Sequence, residues 1–497
     1  MLDAIEKKVN QRTPESLSTK VVRGGLWVFS LRIINHGFRF VRIIILARLL
    51  VPEDFGLLGI AMLSISALEI FSQTGFQTAL IQKKDNIESY LDTAWTVSAI
   101  RGTVLFMILF LSAPTIAYFF NSSEAVLVIR IIAISTLLSG FTNIGIVFFR
   151  KEMEFNKQFF YEFSATVVDL TVAITLAFIL RNVWALVWGG LAANLTRLCM
   201  SYVLHAYRPR VTFRKEKFKE LFGFGKWVLG SSILVFLVTQ GDDIFVGKLL
   251  GVTALGLYQV AYTLGNLPAT EITYVIGQVT FPAYSKLQDD PVKLREAYLR
   301  ILQLTAFLSF PLAAAIIVLA PQFIDIFLGR KWLPAAPLIQ VLALAGVTRS
   351  IAATAGSLFY ALGKTKIDTK LQVIRLAVLA GTIYPLTIKF KLLGVPIAVF
   401  ASILISNIGF NLMALKLTKC STIRFLKIIS IPLINGVFTA LIILLLKTIM
   451  GRGLFELIVL LTSGAVIYLG VAYLSDKFFD YRMGSITLEL LTSLKSS

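Results

Sequence analysis

Long apolar runs divided by short polar stretches recur along this chain about every 30 residues. Runs of that length predict membrane-crossing helices, since a span needs about 20 predominantly apolar residues. They fall near 24–50, 56–81, 92–119, 125–149, 160–180, 183–206, 222–249, 254–284, 299–320, 333–362, 371–388, 393–415, 425–446 and 454–474. Fourteen spans are therefore expected, with only Arg181-Asn182 separating the fifth from the sixth.

The first run carries the most unusual pattern. Its 27 residues would extend about 40 Å as a helix, more than the ~30 Å hydrocarbon core. Yet it holds Arg32, Arg39, Arg42 and Arg48. Turning about 100° per residue from Arg32 brings Asn35, Arg39, Arg42 and His36 into one polar arc. Arg48 lies on the other side, near the expected end of the helix. Charge inside lipid is costly, so a cationic arc on a membrane helix faces protein or water. This arc is the first candidate binding surface.

Composition narrows the class without changing it. The chain is 57% hydrophobic and 15% charged, with a mean hydropathy of +0.79, whereas soluble domains carry about 25% charged residues. Met1 to Lys20 is polar and reads as a cytoplasmic tail rather than a signal peptide. The formal charge of +20 raises the question of nucleic acid. Its distribution answers it: thirty of the 48 basic residues fall in alternate loops and the two tails, against nine in the opposite loops. That bias places both termini in the cytoplasm and assigns the basic balance to topology, not to nucleic acid. The remaining nine, including Arg101, Arg130, Arg197, Lys226, Arg349 and Arg375, lie within the expected spans. Cys199 and Cys420 are far apart in sequence, as are His36 and His205, so neither a disulfide nor a metal site is expected.

The chain also repeats itself at an offset of 200. Gly25-Leu-Trp27-Val28 returns as Gly225-Lys-Trp227-Val228, and Arg48-Leu-Leu50 with Gly56-Leu57 and Ala61 returns as Lys248-Leu-Leu250 with Gly256-Leu257 and Ala261. Six spans separate the copies, so the two halves cross in the same direction, a parallel repeat about an axis along the membrane normal. The expected layout is a tail at 1–23, a first lobe at 24–207, a cytoplasmic loop at 208–221, a second lobe at 222–417, two further helices at 418–474 and a tail at 475–497. Arg42 of the first copy is matched by Asp242 of the second, which suggests either a direct pair or a cavity with walls of opposite charge.

No catalytic constellation or cofactor motif is present. Gly363-Lys364-Thr365 lacks the preceding glycine and strand of a phosphate-binding loop. What remains is intramembrane charge: Glu69, Asp169, Asp242, Asp243 and Glu271 as carboxylates, with Arg349 and Arg375 among the cations. Glu69, Asp242, Asp243, Glu271, Arg349 and Arg375 are candidates for cavity lining or ion coupling. Arg197 is expected either to reach the headgroups or to brace Asp169, and Arg101, Arg130 and Lys226 to reach towards span ends.

The stretch Arg48-Leu-Leu-Val-Pro-Glu-Asp-Phe-Gly56, followed by Gly75-Phe-Gln-Thr-Ala-Leu-Ile-Gln82, resembles the Wzx-type polysaccharide exporters of the multidrug/oligosaccharidyl-lipid/polysaccharide exporter superfamily. The subgroup exporting colanic-acid or teichuronic-acid units is the most similar. The resemblance implies an all-α, MATE-like fold of two six-helix lobes forming a V, plus two C-terminal helices. It implies alternating access without a cofactor, in a bacterial plasma membrane, with an undecaprenyl-diphosphate-linked oligosaccharide as substrate. Membrane lipids, and possible polymerase and glycosyltransferase partners, belong to the same expectation. The cationic residues of the first helix are then the expected cavity lining: Arg32, Arg39 and Arg42, with Asn35 and His36 beside them. A drug/cation antiporter of the same fold is the main alternative, and it calls for a carboxylate-dominated cavity. A polysaccharide polymerase would need a large outer loop, and the longest here, around 321–333, is short.

Overall fold

The computed structural model describes residues 34–72, 76, 80, 87–152, 154–267, 273–479 and 481; for 219–231, 273–279 and 479 it describes the backbone alone. Arg32, Glu271 and the expected tail at 1–23 lie outside the described residues, as does the side chain of Lys226. Among the described residues every regular element is helical. Eight helical stretches among them are long and apolar enough to cross a membrane, and a bent pair would make a ninth. The chain divides into two compact units, one ending at Phe236 and the other beginning at Leu237.

In the first unit the helices are α1 (34–49), α2 (Pro52–Phe71), α3 (Glu88–Phe119), α4 (Ala125–Ile132), α5 (Ile134–Gly140), α6 (Val147–Lys151), α7 (Phe155–Leu180) and α8 (Trp184–Leu204). The turn between α1 and α2 explains the Pro-Glu-Asp-Phe-Gly sequence. Pro52 occupies the first helical turn, where its missing N–H costs nothing, and the Asp54 carboxylate accepts from the Val51 N–H at 3.0 Å. Gly56 is buried one turn later. The expected fourth span, 125–149, is not one helix. It breaks between α5 and a 3-10 turn at Ile144–Ile146, bending by 70°. Asn143 makes the break: its side chain accepts from the Gly145 N–H and donates to the Tyr207 carbonyl at 2.7 Å. Arg181 divides the fifth and sixth spans in the left-handed conformation at φ 50°, closing α7.

Two contacts set helix spacing in this unit. Gly102 and Gly140 bring α3 and α5 together so closely that a Cβ at Gly102 would stand 2.7 Å from the Gly140 Cα. Likewise a Cβ at Gly189 of α8 would stand 2.7 Å from Ala173 and 2.9 Å from the Asp169 carboxylate on α7. Small residues at such crossings let membrane helices approach, because lipid supplies no hydrophobic drive of its own.

The helix α9 (Lys215–Leu249) begins at Lys215, seven residues before the expected second lobe, so the loop expected at 208–221 is shorter. The unit boundary falls inside α9 rather than in that loop. The physical reason is that the early part of α9 packs on the first unit, with Phe218 edge-on to Phe76 and Phe236 edge-on to Phe71.

The second unit continues with α10 (Val252–Gly265), α11 (Thr273–Lys286), α12 (Pro291–Phe323), α13 (Ala336–Ala361), α14 (Thr365–Phe390), α15 (Gly394–Thr418), α16 (Thr422–Ile449) and α17 (Leu454–Phe479). The expected span 254–284 is thus two helices, α10 and α11. The apolar run Thr365–Thr418 is also two, since 54 residues in one helix would extend about 80 Å. It reverses at Lys391, whose φ of 51° no helix accommodates. Asp290 caps α12 by accepting from the Val292 and Lys293 N–H groups. The core of this unit gathers Tyr284, Tyr298, Leu302, Phe359 and Phe410 from α11, α12, α13 and α15. α17 runs to Phe479, five residues past the expected end of its span.

Candidate functional site

The cationic arc of α1 meets α7 along a polar seam. On α7, Glu162, Thr166 and Asp169 stand at positions i, i+4 and i+7, one face of a helix. On α1, Asn35, Phe38 and Arg42 stand at i, i+3 and i+7. The two stripes interlock. Thr166 donates to the Asn35 carbonyl oxygen at 3.0 Å, Phe38 packs on Phe163 at 5.9 Å, and Arg42 engages Asp169. In that last pair Nε lies 2.9 Å from one carboxylate oxygen and Nη2 donates to the other at 3.1 Å. Both side chains are only about a fifth exposed, at 21% and 22%. Gly189 of α8 leaves the space that the Asp169 carboxylate occupies.

The expected brace between Arg197 and Asp169 is therefore corrected. Arg197 instead lies 3.5 Å from Glu162 and donates to Asn194, while Asp169 takes Arg42. Asn35 and Arg42 are held against α7, so their part of the arc is committed to packing. Arg39 is exposed and His36 half-buried. Among the described arc residues Arg39 is the exposed cation, three positions before Arg42 and its pair with Asp169. A charge on a helix at membrane depth faces water or protein rather than lipid.

Glu69 has a different setting. It sits in the last turn of α2, whose C-terminal carbonyls are covered by Arg101 of α3: Nη2 donates to the Glu69 carbonyl at 2.8 Å and Nε to the Ser72 carbonyl at 2.9 Å. A guanidinium there satisfies orphan carbonyls and the negative end of the helix dipole. Arg101 is a helix cap, not a residue reaching for headgroups. Arg130 lies over the Phe110 ring at 5.0 Å.

In the second unit the charges are deeper. Asp242 and Asp243 are 2% and 7% exposed, and Tyr258 donates to Asp242 at 2.6 Å. One oxygen of each carboxylate has no hydrogen-bond partner. Arg349 donates to Tyr262 at 2.9 Å and to Asn266 at 3.1 Å, with its guanidinium over the Tyr262 ring. Within its own unit Arg42 has Asp169 as partner, and within the other Asp242 has Tyr258.

In the first unit Arg42 on α1 pairs with Asp169 on α7; in the second, Asp242 on α9 accepts from Tyr258 on α10. The sequence reading missed Glu162, Thr166, Tyr258, Tyr262 and Asn266, although the i, i+4, i+7 spacing of the α7 stripe was visible. An apolar cleft of about 370 Å³ between α12, α13, α15 and α16, lined by Phe310, Leu344, Phe400, Leu433 and Gly436, offers no charge to an anion.

Solved structures of the same shape fix the class. The inward closed conformation of the lipid II flippase MurJ superposes with a TM-score of 0.72 at 15% identity, covering 92% of this chain and 99% of that one. An inward-facing multidrug resistance MATE family transporter gives 0.61 at 19% identity, covering 78% and 96%. The fold is thus an all-α, polytopic, MATE-like membrane fold.

Sequence comparison goes one step further. A family model described as polysaccharide biosynthesis protein matches residues 45–337, more than half of the chain. The protein belongs to that family. It is 26% identical to lipopolysaccharide biosynthesis protein WzxC of Escherichia coli (strain K12) over 366 residues, 72% of this chain and 74% of the relative. It is 28% identical to teichuronic acid biosynthesis protein TuaB of Bacillus subtilis (strain 168), covering 60% and 62%. The match to succinoglycan biosynthesis transport protein ExoT of Rhizobium meliloti (strain 1021) is 23% identical and covers 94% and 95%.

Proposed function

We propose that the protein is a flippase that carries undecaprenyl-diphosphate-linked oligosaccharide across the bacterial plasma membrane by alternating access, through fourteen spans with both termini cytoplasmic. The observation that carries this reading is the α1 face: exposed Arg39 beside Arg42, whose charge is balanced by Asp169. A diphosphate is a compact anion suited to guanidinium donors. Arg39 is its first ligand, Arg32 belongs to the same arc by its spacing in the sequence, and Arg42 joins by exchanging Asp169 for a phosphate oxygen.

Energetics support a carrier that needs no nucleotide. Moving two negative charges outward across an inside-negative 100 mV runs downhill by about 2.3 kcal/mol each, about 5 kcal/mol in all. Polysaccharide biosynthesis relatives, one of them named as a transport protein, supply the substrate class. Asp242 and Asp243 are the residues suited to ion coupling if a coupling ion is used. Glycosyltransferases upstream and a polymerase downstream follow as partners.

The test is Arg39→Ala and Arg39→Lys in a host dependent on this gene for surface polysaccharide. Export is expected to fall at least tenfold in the alanine variant at unchanged protein level, with partial recovery in the lysine variant. Full export by Arg39→Ala removes Arg39 from the binding site and with it the core of this reading.

A further inference from the structure

We propose that residues 205–214, the strap joining α8 to α9, and the first turn of α9 form a fixed docking surface for the anionic headgroups of the cytoplasmic leaflet. The strap has no helix of its own and has an inner and an outer side. Tyr207, Pro209 and Thr212 turn towards the protein, while Arg208, Arg210, Val211, Phe213, Arg214 and Lys215 are exposed.

Its inner side is tied down at several points. The Tyr207 hydroxyl donates to Asp92 of α3, and the Tyr207 carbonyl accepts from Asn143. Backbone N–H groups of Arg210, Thr212 and Arg214 donate to Asp92, Thr96 and Thr93 at 3.0, 3.0 and 3.3 Å. Lys217 donates to the Ser89 carbonyl at 2.6 Å. His205 anchors the near end, stacked on Phe148 at 5.4 Å. A strap held this way presents its outer face ready-made.

That outer face is cationic and apolar together. Arg210, Arg214 and Lys215 form no ion pair among the described residues. Val211 and Phe213 stand between them, 82% and 55% exposed. Basic and apolar side chains interleaved are the chemistry of an interfacial lipid contact, where charge meets headgroups and rings enter the acyl boundary. Depth agrees. α3 has 32 residues, about 48 Å of helix against a ~30 Å core, and the strap lies on its first turns, ahead of Arg101 and the uninterrupted apolar run. The positive-inside orientation puts this level at the cytoplasmic leaflet, where anionic lipid attracts each basic residue roughly fivefold.

The test uses the full chain with Cys199→Ser, Cys420→Ser and Val211→Cys, labelled with an environment-sensitive fluorophore in nanodiscs. Discs of phosphatidylglycerol and of phosphatidylcholine each carry headgroup-level nitroxide lipid. Quenching is expected to be at least about threefold stronger in phosphatidylglycerol, and to drop to the phosphatidylcholine level with Arg208→Gln, Arg210→Gln, Arg214→Gln and Lys215→Gln together or in ~1 M salt. Equal quenching in the two discs, or a label as open to aqueous iodide in one as in the other, overturns the proposal and leaves the face to a protein partner. Phe213→Cys serves as the second reporter if Val211→Cys lowers the yield of folded protein.

Discussion

Replacing Asp169 by asparagine removes the charge that balances Arg42 while keeping the side chain's size in the space left by Gly189. The loss can be worked from the contact. A hydrogen bond to a charged group contributes about 1.5–3 kcal/mol, and breaking a fully buried ion pair costs about 3–5 kcal/mol. With each side chain about a fifth exposed, the lower part of that range applies, about 2 kcal/mol. For a unit of this size 1 kcal/mol moves Tm by about 2–4 °C, so Asp169→Asn is expected to lower Tm by roughly 4–8 °C. The assay is a double-mutant cycle on purified protein, with Arg42→Gln, Asp169→Asn and both, followed by intrinsic tryptophan fluorescence on heating. Coupling predicts that the double variant loses little more than either single one. Strictly additive losses would falsify the pair as a stabilising unit. Binding supplies a second readout. With Arg42 released from its counterion, Asp169→Asn is expected to hold a short prenyl diphosphate about tenfold more tightly and to turn over more slowly. Weaker binding would mean that Asp169 positions Arg42 rather than competing for it.

Four further outcomes follow from contacts already described. Gly189→Val puts new atoms against Ala173 and the Asp169 carboxylate, so a loss of about 1–3 kcal/mol in stability is expected, and an unchanged Tm would show that α7 and α8 separate freely. Tyr258→Phe leaves the buried Asp242 without its donor; a Tm lower by several degrees is expected, rescued in part by Asp242→Asn, and no such rescue would discount the bond. Burial and the neighbouring Lys157 hold His205 below the usual imidazole range. The native strap therefore keeps it neutral, accepting from the Tyr207 N–H at 3.1 Å. As pH falls through about 6.5 the unfolded chain takes up a proton that the native one refuses, so stability drops there and levels off below the native pKa. His205→Gln should flatten that part of a Tm-against-pH curve. Gly102→Leu is expected to abolish folded yield, since the Gly140 backbone stands where its Cβ would go; normal expression would contradict the close crossing of α3 and α5.

The membrane class and most helix positions were legible in sequence because hydrophobic run length responds directly to bilayer thickness. The breaks were less legible. Composition carries apolar residues straight through 125–149, and only the Asn143 side chain, bonded to a residue 64 positions away, turns the chain there. A helical wheel puts Asn35, Arg39 and Arg42 on one face but does not say which neighbour that face meets: Asn35 and Arg42 meet α7, while Arg39 is exposed. The offset of 200 matches Arg42 to Asp242 in sequence alone. It is a correspondence of position, and each residue finds its partner nearby.

The Arg42–Asp169 pair has a consequence for how the chain assembles. Its two residues lie 127 positions apart, so α1 is made long before the helix that carries its counterion. A guanidinium left in lipid is costly, which disfavours the final seating of α1 until α7 arrives. The carboxylate thus acts as a late clasp, and a chain carrying Asp169→Asn is expected to dock α1 more slowly and less completely than the native one.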